Sequence, residues 1–502
     1  MQSLKEDKTV PLTFGEAMLE LLKKRGLSAT AVAEELGFKS RTAFFRILHD
    51  ESRMLSIQKC FEAVKGSALL ALSKEETDAL VEAMQVSLLG KQTYGIHRVL
   101  HQMIYPADNR ERNADIEIVG IEGIRTIDDV ISLIPKGGRI NIMMAGRSSK
   151  YIVDRIHRLT QERKVERITH LFAIDEEDAE DVKVFSCISD ILFSSVYSAY
   201  YLIETGTGKK NWWLRSGVVM FDHTAENGER KTVQITWLNR NRYFCLTAQN
   251  DSGMVFWRSL FENHDEELIP LKKEAVMDQA EPAPDLERYI AFTDEYRKLE
   301  SSRAIYTIKQ DFPINCVPVD ILAPMVIKTY YSSFAEESKE TNEQIRRLYG
   351  IHEARSSNIY NRKKPVHFVL SPKAMMEFAR TGQRSDHFFL GRPYTVEERV
   401  RLLTLLRDQT RDNPNFNIWM MKNADIVDDK EVTVYDGYGV AMVKADTSWC
   451  LEQDHQEVML ESRMLAKHFK SYFVSSLLTS SVMSREESIA MLDEIIEAAR
   501  NA

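Results

Sequence analysis

Three stretches of this chain place reactive or binding side chains at spacings that suit chemistry. In MMAGRSSKYIVDRI, a glycine turn after a strand pattern brings Arg147, Ser148 and Ser149 to the start of a helix. Backbone N–H groups at a helix N-terminus, one guanidinium and two hydroxyls can hold an anion, and open α/β sheets gather ligands at the carboxyl ends of their strands. Plain serine capping of the same helix is the competing reading. In EFARTGQRSDHFFLGRPYTVEER, Arg380, Arg384, Asp386, His387 and Arg392 crowd among aromatics in a loop-like stretch. That suits a ligand or domain interface, or a structural cluster of ion pairs. In SRTAFFRIL, burial of Phe44, Ile47 and Leu48 at i, i+3, i+4 turns Thr42 and Arg46 outward, with Arg41 at the edge of the exposed side.

Motifs for other chemistries fail on particular residues. A phosphate loop in ETGTGKKN needs glycine where Ile203 stands and a hydroxyl where Lys210 stands. GIEGIRT lacks dinucleotide-binding spacing, and IPKGGRIN reads as a turn into a strand. LEQDHQEVMLE brings Asp454, His455 and Glu457 together without the helical H-x-x-x-H pair of a metalloprotease. The 12 histidines are scattered, and the five cysteines (Cys60, Cys187, Cys245, Cys316, Cys450) form no C-x-x-C pair. No metal or cofactor is expected, and the cysteines read as reduced core thiols.

The elements that must position these residues fall into three regions. A chain of 502 residues with 44% hydrophobic and 28% charged residues has material for roughly three ordinary domains. No stretch approaches the ~20 apolar residues of a membrane span, and MQSLKEDKTVPL lacks the apolar core of a signal peptide, so a cytoplasmic protein without a membrane partner is expected. The net charge of -9 argues against a protein that coats nucleic acid over its whole surface. Short helical patterns separated by glycines run from residue 14 to 85, within a first domain at 1–90. From Asp115, DIEIVGI, IDDVISLI, RINIMMAG, KYIVDRIHRLTQERKVE and ITHLFAID read as β-α-β-α-β, with hairpins in NWWLRSGVVMF, KTVQITWLN and RYFCLTAQ and a closing helix in SGMVFWRSLFENHDEEL. This middle domain spans 91–267. A linker rich in charge and proline follows at 268–286, and a C-terminal α/β domain at 287–502 carries a hairpin turning at Asp436-Gly437 and closing helices around Glu457–Leu478 and Ser484–Ala499. No fixed-period repeat is present, which disfavours solenoids and propellers.

In the first region Met18, Leu21 and Leu22 share one helical face that stops at Gly26, and Ser28 caps a second helix carrying Val32 and Leu36 and ending at Gly37. A third helix starts after Ser40, and a fourth, SIQKCFEAV, covers the base through Ile57, Phe61 and Val64. The stretch LLKKRGLSATAVAEELGFKSRTAFFRIL, with Leu27, Ala33, Leu36, Gly37, Phe44 and Ile47 at core and turn positions, resembles the helix-turn-helix of the phage repressor/Cro-like (XRE) regulators. The resemblance covers about the first 70 residues. It implies that the helix after the turn enters the major groove of double-stranded DNA, with Arg41, Thr42 and Arg46 facing base edges and Lys39, Ser40 and Phe45 beside them. Arginine suits guanine O6/N7, and threonine suits a base edge or a thymine methyl. Ala29 stands where that family often has a phosphate-contacting glutamine, and the turn GFKS is one residue longer. From Phe14 to Lys65, nine Lys/Arg against seven Asp/Glu give 9 - 7 = +2. So small a charge implies a module that works as one of a pair, a homodimer.

The β-α-β succession with late hairpins resembles the phospholipase-D-like sensor domains attached to some bacterial DNA-binding modules. That family's catalytic signature is H-x-K with aspartate after four further residues. The one H-x-K here, His468-Phe469-Lys470, has Ser475 at the aspartate position. The sequence therefore leads to a multidomain chain: an all-α helix-turn-helix domain, then two mixed-sheet α/β domains. Its expected function is that of a DNA-binding transcriptional regulator of bacterial type. It is expected not to be an enzyme, and to dimerise and sense a small-molecule or protein effector. Two alternatives are an interaction scaffold whose helical domain binds a protein, and an enzyme with an appended DNA-binding module.

Overall fold

The computed structural model describes residues 12–38, 40–49, 54–67, 69–104, 117–204, 214, 217–239, 242–249, 268–273, 286–309, 312–330, 339–383, 392–422, 430–444 and 457–502. Two compact units divide the chain. One comprises Met1–Arg98 with Glu177–Glu180, the other Val99–Glu176 with Asp181–Ala502. The α/β regions on either side of the expected linker share the second unit.

The first unit is built from capped helices. Thr13 and Glu16 close a capping box on α1 (Phe14–Arg25), which ends at Gly26 with φ 64°, a left-handed conformation that a side chain would strain. Ser28 caps α2 (Ala29–Glu35) by accepting from the Ala31 N–H. Then follow α3 (Arg41–Leu48), α4 (Met54–Lys65) and α5 (Lys74–Leu89), the last opened by a Ser73–Glu76 capping box. Phe14, Met18, Leu22, Val32, Phe44, Ile47, Ile57, Phe61, Val64 and Leu80 form one core. At Gly15 an added Cβ would lie 2.4 Å from the Leu48 carbonyl oxygen, so only glycine lets α1 approach the end of α3 so closely. A sixth helix, α6 (Lys91–Ile104), follows.

The α/β unit holds two mixed sheets. The first contains β1 (Glu117–Val119), β2 (Arg139–Ala145), β3 (Val165–Ile174), β4 (Tyr197–Ile203), β5 (Val218–Thr224), β6 (Arg230–Asn239), β7 (Arg242–Gln249) and β8 (Ile269–Pro270), in the order β1-β7-β6-β5-β2-β3-β4-β8. Between its first strands lie α7 (Ile127–Ser132) and α8 (Lys150–Glu162). The second contains β9 (Lys272–Lys273), β10 (Ile305–Lys309), β11 (Val366–Leu370), β12 (Phe416–Met420), β13 (Lys430–Tyr435), β14 (Gly439–Lys444) and β15 (Glu457–Leu460), in the order β12-β11-β10-β13-β14-β15-β9.

The two sheets repeat one topology. In each, three parallel strands (β2-β3-β4 and β10-β11-β12) carry an antiparallel meander on the first strand (β5-β6-β7 and β13-β14-β15). The strand order also runs head to tail, because β8 lies beside β4 while β9, two residues later, lies beside β15. Leu271 between them is fully buried, and its N–H donates to the Ala199 carbonyl at 2.9 Å.

This corrects two expectations. The linker expected from residue 268 begins as a strap hydrogen-bonded to both sheets, and its part at 274–285 lies outside the described residues. The closing helix expected from Glu457 begins instead as β15, because Val440, Ala441, Met442 and Val443 offer it a sheet edge. A helix at Arg463–Tyr472 and a π-helical stretch at Phe473–Ser481 then follow. The hairpin at Asp436-Gly437 is present, with Gly437 at φ 71°, and Ser484 caps the last helix, Arg485–Arg500. The helix expected at SGMVFWRSLFENHDEEL lies outside the described residues.

Candidate nucleic-acid interface

The α3 helix owes its exposed face to its buried one. Phe44, Ile47 and Leu48 are at most 2% exposed, which fixes the helix rotation and leaves Arg41, Thr42, Phe45 and Arg46 in solvent. Gly37, at φ 72°, makes the turn that delivers the chain from α2 into α3. Ser40 is the N-cap residue, but its side chain makes no capping bond, so its hydroxyl is available at the helix start. Arg41 is paired with Glu34 of α2 at 2.5 Å, both side chains being more than half exposed. Arg46 has no ion-pair partner among the described residues. Phe45 is 39% exposed, an apolar ring between the two arginines. Lys39 lies outside the described residues.

At the second candidate site the capping role is filled. The Ser149 side chain accepts from the Ile152 N–H as N-cap of α8, and the Ser149 N–H donates to the Tyr243 hydroxyl at 3.2 Å. Arg147 reaches the buried Asp181 at 3.8 Å, and the Ser148 hydroxyl is buried without a hydrogen-bond partner among the described residues. His170 sets the glycine turn that carries them. One ring nitrogen meets the Gly146 carbonyl at 2.7 Å and the other the Tyr197 hydroxyl at 2.8 Å. Nε2–H therefore donates to the carbonyl while Nδ1 accepts from the tyrosine. Complete burial pushes the His170 imidazole down to about 4, so it is neutral at pH 7.

At the third site Arg392 makes a two-pronged pair with Glu398, both contacts 2.7 Å, and Glu398 also closes the capping box on Thr395 at the start of Val396–Asp412. Arg392 thus acts on a helix N-terminus. Arg384, Asp386 and His387 lie outside the described residues. The His468-Phe469-Lys470 triplet sits on the helix Arg463–Tyr472, with His468 buried and Lys470 donating to Asp436 at 2.7 Å.

Two polar clusters in the α/β unit escape sequence reasoning. Asp190 accepts from Lys150 at 2.5 Å and pairs with Lys430 at 2.9 Å, while Lys150 also reaches Asp154 at 2.8 Å. Burial alone would raise the Asp190 carboxyl, but Lys430 and Lys150 outweigh it and hold the group well below the usual carboxylate range. Asp154 goes the other way, raised by burial against the pull of Lys150. Lys444, opposite Lys430 across β13 and β14, places its ammonium 4.9 Å from the centre of the Phe193 ring. In the second cluster the fully buried Glu300 takes both contacts of Arg355 at 2.8 Å, and Arg355 lies over the Tyr296 ring. The Tyr296 hydroxyl in turn donates to Glu457, whose carboxyl burial raises.

Among the described residues no group of three or more His, Cys, Asp or Glu is disposed to hold a metal ion, and no helix is long and apolar enough to cross a membrane. Cys60, Cys187, Cys245 and Cys316 are buried free thiols.

No family model and no curated protein matches the chain. A solved structure, phosphatidylserine synthase of Haemophilus influenzae Rd KW20, is similar over 82% of this chain and 98% of its own, at 11% identity and a TM-score of 0.23. The transcriptional regulator without catalytic activity expected from the sequence is not what this comparison found, the matching structure being that of an enzyme.

Proposed function

We propose that the helical unit binds double-stranded DNA through the exposed face of α3, as a helix-turn-helix of the repressor/Cro-like kind. One observation carries the reading: Ser40, Arg41, Thr42, Phe45 and Arg46 share the solvent side of a short helix whose other side is locked into the core. An α-helix with its side chains is about 10–12 Å across, which the roughly 12 Å wide major groove admits. Two arginines suit guanine edges or phosphates, threonine a base edge, and the phenylalanine ring a thymine methyl. The local charge of 9 - 7 = +2 between Phe14 and Lys65 gives few phosphate contacts per copy, so two copies bound side by side hold the duplex.

The test is binding of the full chain to a random-sequence duplex pool across a salt series, beside Arg41→Ala plus Arg46→Ala. Binding should weaken as salt rises, and the double substitution should cost at least about tenfold in affinity and flatten the salt slope. Binding that ignores both arginines would sink the reading, as would no binding by the wild-type chain.

A further inference from the structure

Among the described residues, Glu34 is the acidic side chain that the structure pairs with the duplex-reading face. It lies in the last turn of α2, 2.5 Å from the Arg41 guanidinium, with the two side chains 60% and 64% exposed. Its neighbour Glu35 is engaged elsewhere, accepting from the Ser67 hydroxyl at 2.9 Å and the Leu69 N–H at 3.0 Å. Glu34 has Arg41 as its ion-pair partner, and that arginine is the first residue of the groove-facing helix. A carboxylate beside a guanidinium presents two paired acceptors, as a charged DNA phosphate or the neutral O6/N7 edge of guanine would.

Resting on the duplex-binding reading, we infer that Glu34 is a built-in competitor that occupies Arg41 until DNA displaces it. The exchange follows from solvation. Both groups stay largely in water, so their pair is weakly held and can be traded for a phosphate without stranding a buried charge. When Arg41 turns to DNA, the freed carboxylate takes up a cation from solution. That uptake offsets one of the counterions released from the duplex. Glu34 thereby lowers affinity for any duplex, and the cost is recovered only where Arg41 gains more than a bare phosphate contact. It favours sites that offer Arg41 a base edge over arbitrary backbone.

The experiment compares five full-length proteins on the random-sequence duplex pool across a salt series: wild type, Glu34→Gln, Glu20→Gln, Arg41→Ala, and Glu34→Gln combined with Arg41→Ala. Glu20 lies exposed on α1, and its substitution removes the same charge without touching Arg41. Glu34→Gln should bind about three- to tenfold more tightly than wild type, with a log K against log salt slope steeper by about 0.9. Glu20→Gln should change neither beyond a small uniform gain, and in the Arg41→Ala background the Glu34 effect should vanish. If the wild type binds but Glu34→Gln behaves like Glu20→Gln, the competitor role is wrong while duplex binding stands. A Glu34 gain that survives without Arg41 likewise overturns it, since the effect is then simple repulsion. If none of the five binds, both readings fall together.

Discussion

On α3 the charged groups stand in water: Arg41 has a partner it can exchange, and Arg46 has none among the described residues. In the α/β unit, Lys430 and Glu300 are at most 1% exposed, and each is committed to a fixed opposite charge. The residue types are the same, and their solvation differs. A pair in water can be broken at little cost and so can serve recognition, whereas a buried pair can be broken only by leaving a desolvated charge behind. The contrast separates charges that hold the molecule together from charges free to meet something else.

The strongest way to break this comparison is to remove one partner from each kind of pair. Glu300→Ala strands Arg355 and should cost about 3–5 kcal/mol in urea unfolding. All six tryptophans lie beyond residue 98, so their emission reports the α/β unit. A loss below about 1 kcal/mol would show that Arg355 finds water, and that the cluster is less closed than its geometry implies.

Acid provides the next largest effect. His170 is held neutral with its folded pKa near 4, below the unfolded value of about 6.5. Its contribution is therefore fully present above about pH 6.5 and is lost as pH falls toward 4, because the unfolded chain binds the proton first; at most about 3 kcal/mol is at stake. Unfolding measured from pH 7 to 4 should show this slope in the wild type and lack it in His170→Gln. An equal slope in both would assign the acid sensitivity to other groups.

A smaller effect sharpens the middle ground. Thr395→Ala removes a cap but leaves Arg392 and Glu398 paired, so a loss of about 1 kcal/mol is expected. A loss several times larger would place this half-buried arginine with the committed charges. Smallest of all, Arg41→Ala should change the thermal stability of the helical unit by less than about 0.5 kcal/mol, read by helical circular dichroism. A large loss would mean that the Glu34 pair is structural and unavailable for exchange.

Much of the helical unit could be read from the chain because its signals are local. Ser28, Gly26, Gly37 and the Phe44, Ile47, Leu48 spacing each act within a turn or two. Of the parallel strands, β2 and β3 were legible for the same reason, as apolar runs ahead of turn residues, whereas β4 and β10, broken by Ser198 and Thr307, were not. The duplication was not. One helix, α8, connects β2 to β3, whereas two helices, Val319–Tyr330 and Lys339–Tyr360, connect β10 to β11, so equal topology comes with unequal spacing and no period. The Asp190 and Glu300 clusters escaped because each draws partners from elements far apart in sequence, which only the folded sheets bring together. At Arg147-Ser148-Ser149 the serine cap is a local signal that the chain carries openly, but Tyr243, whose hydroxyl takes the Ser149 N–H, belongs to a hairpin no local pattern connects to it.

The strap at residues 269–273 also has a bearing on the order in which the molecule can be completed. Its first pair of residues finds β4, already made, but its second pair needs β15, whose Met459 and Leu460 emerge from the ribosome almost two hundred residues later. Until then β9 is a ready edge with no neighbour, attached to a first sheet that is otherwise complete. Closure of the second sheet is thus a late and long-range event. An interrupted or slowed synthesis exposes an open strand edge at the middle of the chain, the kind of surface on which nascent copies stick to one another.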